Sequence, residues 1–220
     1  MSRSAVVQTP DELWSATHAE RAALADDLVV LTEAQWATPS LCGRWTVEQV
    51  VAHLTAAASL GGLRWFRSVL DARFDFDVHN DRRLAEHRGT TTVETLDRFR
   101  AVVTSSRGPS KDTAAWLGEV VVHAQDIRWP LGISRTASVG SVTPVAMFYA
   151  SRNFTVASRT TIAGLRLEAT DGPFASGSGP LVRGTTTALT MAMAGREVYC
   201  DDLDGAGVPV LRNRIRAKGR

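Results

Sequence analysis

From Asp11 to Leu31 apolar side chains return at roughly helical spacing. Leu13, Ala16, Ala23, Leu24, Leu28 and Leu31 fall on one side, with Asp, Glu and Arg between them. Positions three and four apart share a helix face, so this period predicts a first amphipathic helix. Pro39 and Gly43 break the pattern. Thr46 and Gln49 then supply a capping box for a second helix, Val47 to about Leu70, with Gly61-Gly62 as its weak point. A polar stretch from Asp71 to Thr91 leads to a third helix, about Thr92 to Ser105, closed by Gly108-Pro109. Asp112 is the expected N-cap of a fourth, Thr113 to about Arg128, which Trp129-Pro130-Leu131-Gly132 stops because proline cannot continue it. A fifth helix is expected from Pro144 to Arg159.

Beyond Arg159 the period changes. Gly164-Leu165-Arg166-Leu167-Glu168-Ala169 alternates as a strand does, Asp171-Gly172-Pro173 reads as a turn, and Ser176-Gly177-Ser178-Gly179-Pro180 as another before Leu181-Val182-Arg183-Gly184. A helix from Thr185 to Gly195 follows, and the chain is expected to end in a short polar, strand-like piece. The expected fold is mainly α: a four- or five-helix bundle over residues 8–160, then a small α+β module over residues 161–220.

Composition narrows the function. With 44% hydrophobic residues in 220, the chain can bury a real core. Its 25 Lys+Arg against 23 Asp+Glu leave a formal charge of only +2, which does not argue for nucleic acid. The one concentrated basic run, Arg212 to Arg220, reads as a solvated tail. Cys42 and Cys200 are far apart and form no CxxC spacing, which suits a reducing compartment. No secretory signal and no bilayer-length apolar run is evident, so a cytoplasmic protein, monomer or homodimer, is expected.

Candidate chemistry lies on the helices. On the second, Val50, His53, Leu54 and Ala57 share a stripe, so His53 should face the bundle interior; the plain alternative is a core histidine bonded to a backbone carbonyl. On the fourth, Glu119 and His123 are one turn apart, flanked by Trp116, Val120 and Ile127. With 23 acids in 220 positions, an acid precedes a given histidine by four residues about one time in ten, so the spacing alone is also met by an ordinary helix pair. The apolar setting points further, because bundle cores build metal sites from facing helices. Two imidazoles and one carboxylate suit zinc and leave a coordination position open. Asp126, three residues after His123, could fix a ligand ring or form a surface salt bridge with Arg128 or Arg82. His18, His79 and His87 read as solvated or structural.

Together, Leu41-Cys42-Gly43-Arg44-Trp45-Thr46-Val47-Glu48-Gln49-Val50-Val51-Ala52-His53-Leu54 resembles the opening motif of the mycothiol-dependent maleylpyruvate isomerase family. The stretch from Glu119-Val120-Val121-Val122-His123 to Trp129-Pro130-Leu131-Gly132 is similar to its second motif. Gly179-Pro180-Leu181-Val182-Arg183-Gly184, Ala194-Gly195-Arg196 and Asp202-Leu203-Asp204-Gly205-Ala206-Gly207-Val208 resemble its C-terminal module. The resemblance implies a DinB-like bundle with His53, Glu119 and His123 as ligands of a divalent metal, most simply Zn2+. It also implies that Arg196, with Arg183 as a second candidate, contacts the carboxylate of a substrate or thiol. Two features depart from the family pattern: Trp129 stands where a basic residue is expected, and the connection from Arg107 to Asp112 is short.

The implied function is metal- and thiol-dependent isomerisation or S-transfer, with mycothiol or another low-molecular-weight thiol as cosubstrate. The electrophile would be small and able to bear a carboxylate. The alternative from another class is a non-catalytic, DinB-like metal-binding stress or regulatory protein.

Overall fold

The computed structural model describes residues 8–43, 45–59, 86–108, 110 and 112–218. His79 and the expected course of the second helix to Leu70 lie outside them. The chain divides into two compact units, Pro10–Arg135 and Thr136–Arg220, the latter with the residues up to Thr9. It is mainly helical, with a small three-stranded sheet in the C-terminal part.

In the first unit, α1 (Pro10–Leu28) begins with proline in its first turn, where a missing N–H costs nothing, followed by Asp11 and Glu12 at the positive end of the helix dipole. It stops before Leu31, because Thr32 and Gln35 form a full capping box that starts the separate one-turn helix α2 (Glu33–Trp36). Four residues carry no period, so only the cap could have revealed it. The expected box before α3 (Val47–Ser59) is present: Thr46 N–H donates to Gln49 Oε1 at 2.9 Å, and Gln49 N–H to Thr46 Oγ1 at 3.4 Å.

Helix α4 (Thr92–Arg100) is capped by Thr91, and the expected remainder to Ser105 winds into turns instead. Helix α5 (Thr113–Arg128) starts after Asp112, whose side chain makes no capping bond. Every residue from Val120 to Arg128 is buried, which makes α5 the central helix; it packs on α1 and α3. Leu24, Leu28, Val50, Val51, Leu54, Phe99, Val120 and Ile127 form the core around it. Each fully buried aliphatic side chain contributes on the order of 1.5–3 kcal/mol. Arg128, 1% exposed, is held among them by Asp27, whose Oδ2 accepts from Nε at 2.8 Å.

The second unit holds the larger corrections. The helix expected from Pro144 runs instead as α6 (Val139–Ser151), because Ser138 caps it five residues earlier and Pro144 lies inside it. Proline there deprives the Gly140 carbonyl of its helical donor, and the Gln8 side-chain amide lies 3.4 Å from that oxygen. A one-turn helix, α7 (Ser158–Thr161), is separate. Strands β1 (Arg166–Ala169), β2 (Ala175–Gly177) and β3 (Leu181–Gly184) lie in the order β2-β1-β3, antiparallel and then parallel, with Leu167 opposite Val182 and both fully buried. Strand β2 and the tight return after it need glycine: Gly177 and Gly179 have positive φ, and a Cβ at either would overlap a carbonyl beside β1.

Helix α8 (Thr186–Met193) packs on α6 and leads through a 3-10 turn, Glu197–Asp202, to a last helix, α9 (Val208–Lys218). The expected strand-like ending is therefore helical. Leu211 and Ile215, one turn apart, are its buried residues, too few to show a period in a basic run. That run is not a free tail either. Arg212 pairs with Asp201 at 2.7 Å, Arg216 with Glu197 at 2.7 Å, and Arg214 donates to the Thr161 and Ala163 carbonyls.

Candidate metal centre

Three side chains from two helices meet in the first unit. α3 presents His53, and α5 presents Glu119 and His123 one turn apart on the face toward it. Nε2 of His53 donates to Oε1 of Glu119 at 2.6 Å, and Nε2 of His123 stands 3.5 Å from the same oxygen. The two imidazoles meet edge to face, with centroids 5.0 Å apart. One donor atom from each of the three residues lies within 4.8 Å of the others.

The chemistry of this donor set fits a divalent ion. Metal bonds of about 2.0–2.2 Å place tetrahedral ligand atoms roughly 3.3–3.6 Å apart. The Glu119–His123 separation already has that value; the Glu119–His53 separation is shorter and would open by rotation of either side chain. His53 and Glu119 keep some exposure, 18% and 19% of their side chains, so the cluster is reached from solvent.

Electrostatics bind the same residues together. Burial pushes the Glu119 carboxyl up, but hydrogen bonds and positive charge from His123 and His53 outweigh this and hold it well below the ordinary carboxylate range. Burial presses His123 toward its neutral form; Asp126, Cys42 and Glu119 hold it well above the ordinary imidazole range. Nδ1–H of His123 donates to Oδ2 of Asp126 at 2.9 Å. Asp126 is fully buried, so of its two sequence readings the ring-orienting one matches its position and the surface salt bridge does not. Holding Nδ1 as the donor to Asp126 leaves Nε2, on the side of Glu119 and His53, as the nitrogen that would ligate a metal once it gives up its proton.

Two neighbours were not singled out as site residues from the sequence. The Trp45 ring packs on His53, centroids 4.9 Å apart, and Cys42 hydrogen-bonds His123. Both lie in the Leu-Cys-Gly-Arg-Trp turn, whose return onto α5 is a tertiary fact. Trp129 is half exposed, and Trp116 Nε1 donates to the Ser110 carbonyl. His18 stacks on Trp14 and bonds Ser106, as a structural histidine does.

Arg183 and Arg196 belong to the other unit. Arg183 is paired with Asp204, Nε to Oδ1 at 3.2 Å, across a short backbone bridge. Nη1 of Arg196 donates to the Ala194 carbonyl at the end of α8, at 2.7 Å.

A helical bundle that converges two imidazoles and a carboxylate has the build of proteins that hold metals in a bundle core. Residues 17–108 are similar to the sequence model of the mycothiol maleylpyruvate isomerase N-terminal domain, the family whose motifs the sequence resembles. The matched segment includes His53 and ends before Glu119. No curated protein matches the sequence. Among solved structures, the chain is similar to the crystal structure of the mycothiol-dependent maleylpyruvate isomerase and to that of a histidine-to-alanine mutant of it. In each case the TM-score is 0.61 and the identity 14%, with 90% of this chain and 93% of the other covered. At that identity the likeness is one of fold.

Proposed function

We propose that this protein is a metal- and thiol-dependent enzyme, a mycothiol-dependent isomerase or thiol S-transferase acting on a small electrophile. The observation that carries the reading is the meeting of His53, Glu119 and His123, from two helices, within the span of one coordination sphere. The family match over residues 17–108 and the shared fold supply the thiol. A divalent ion in this set, most simply Zn2+, would leave a coordination position for the thiol sulfur and keep it as thiolate, the form that adds to an electrophilic carbon.

The chain's own residues have defined parts in this reading. His53 and His123 offer neutral nitrogens, Glu119 offsets the ion's charge, and Asp126 keeps the His123 ring in the ligating tautomer. Trp45 shields one face of His53. No protein nucleophile is required. Arg196 remains the candidate for a carboxylate on the substrate or thiol; Arg183 is the weaker one, since Asp204 already occupies its guanidinium.

The test combines metal analysis with turnover. The purified protein should take up about one zinc ion through this set, and His53→Ala and His123→Ala should each lower zinc affinity by about a hundredfold or more. The zinc-loaded protein with mycothiol should isomerise a cis-configured unsaturated acid or consume thiol against an electrophile panel. Zinc uptake without either activity would leave a metal-binding protein, and unchanged zinc content in both variants would remove the site.

A further inference from the structure

Cys42 is held over α5 by the backbone on either side of it. Ser40 and Trp45 close a short turn through Ser40 N–H to the Trp45 carbonyl, 2.9 Å, and Gly43 allows its reversal at φ 61°. The Ser40 hydroxyl accepts the Cys42 N–H at 3.1 Å, and Leu41 N–H donates to the Asp126 carbonyl at 3.0 Å, which fastens the turn to the helix that carries His123. As a result one donor atom each from Cys42, His123 and Asp126 lie within 4.8 Å of one another. His123 is the one residue this group shares with the His53–Glu119–His123 set.

The two groups address different sides of the same ring. Glu119 stands at Nε2, 3.5 Å away, whereas Asp126 stands at Nδ1, 2.9 Å away. They also differ in chemistry: the first offers nitrogen and oxygen only, and the second adds sulfur, which selects soft ions. Cys42 is partly exposed while Asp126 is fully buried, so an ion could enter from the Cys42 side and find its anionic partner inside.

We propose that Cys42, Nδ1 of His123 and Asp126 form a second cation site, selective for thiophilic divalent ions, whose occupation antagonises the first. On binding to the neutral ring, the Cys42 S–H bond is exchanged for a bond to the ion and its proton leaves to solvent, while the ring proton passes from Nδ1 to Nε2 through solvent, with no change of oxidation state. A neutral imidazole has one free lone pair. With Nδ1 taken by the ion, Nε2 carries the ring proton and cannot ligate. The antagonism rests on the three-donor site proposed above; the second site itself does not.

Cadmium alone, added to the full-length reduced protein, is the probe. A thiolate-to-cadmium charge-transfer band in the ultraviolet should appear, persist in Cys200→Ser and His53→Ala, and vanish in Cys42→Ser. Asp126→Asn should weaken cadmium binding by tenfold or more, with circular dichroism confirming that the variant is folded. Absence of the band at saturating cadmium, its survival in Cys42→Ser, or unchanged affinity in folded Asp126→Asn would each overturn the site. Zinc affinity should fall at least tenfold in cadmium-loaded wild type and be insensitive to cadmium in Cys42→Ser; equal zinc affinity with and without cadmium would overturn the antagonism. His53→Ala separates the two proposals, because loss of zinc uptake there with the cadmium band retained upholds the Cys42 site independently.

Discussion

Nδ1 of His123 lies 2.9 Å from Oδ2 of Asp126, three residues further along the same helix and fully buried. A carboxylate in that place holds the ring against rotation and makes its other nitrogen more basic, which strengthens a metal bond. Asp126→Asn keeps the shape and loses the charge. We expect zinc affinity to fall by about 10–100-fold with secondary structure retained. Competition with a chromophoric chelator measures this, and unchanged affinity would assign Asp126 a purely structural role.

The pKa of His123 is raised and that of Glu119 lowered from ordinary values of 6.5 and 4.5. For the ion-free protein, stability from the His123 imidazolium is fully present below its ordinary value and is lost as pH rises through the raised one. Stability from Glu119 is present above its ordinary value and is lost as pH falls through the lowered one. The site therefore contributes most to ion-free stability between these values. Metal binding runs the other way on the alkaline side, since a ligating ring must give up a proton. Zinc affinity should rise from about pH 6 to about pH 8 with net proton release. Calorimetry in buffers of different ionisation enthalpy counts the protons; an affinity that stays constant over this range would count against His123 as a ligand.

Arg128 is the most deeply enclosed cation among the described residues of the first unit, and Asp27 answers it at 2.8 Å while also meeting Arg135 at 3.1 Å. Removing the anion leaves a guanidinium in the core without its counter-charge. Asp27→Ala should cost on the order of 3–5 kcal/mol, read as a lower urea midpoint. Arg135→Ala, which removes the outer and half-exposed partner, should cost about 1 kcal/mol or less.

Arg196 offers the test of the C-terminal unit. Arg196→Lys keeps the charge and loses the planar fork that matches a carboxylate. Turnover of a carboxylate-bearing substrate should drop by about tenfold or more, with zinc content unchanged. Full activity in both Arg196→Lys and Arg196→Ala would leave the residue its bond to the Ala194 carbonyl, a helix-end contact.

Local physics sufficed for what local residues control. Thr46 and Gln49 marked the start of α3, the 3.6-residue period outlined α1, Pro130 marked the end of α5, and Leu167 and Val182 showed the alternation of two strands. The one-turn spacing of Glu119 and His123 put both on one helix face, because helical geometry alone requires it. Elements whose evidence is short or non-local were not legible. Helix α2 is a single turn, α6 begins at a serine cap ahead of a proline that reads as a start, and α9 shows its apolar side only through Leu211 and Ile215. Tertiary structure alone decided that His53 meets Glu119, that the Cys42 turn closes on His123, and that Asp126 and Arg128 turn inward. Those contacts depend on how α3, α5 and the 40–45 turn pack. The same residue types at the same spacings serve equally well on a solvated face, so only the packing of one element on another could choose between them.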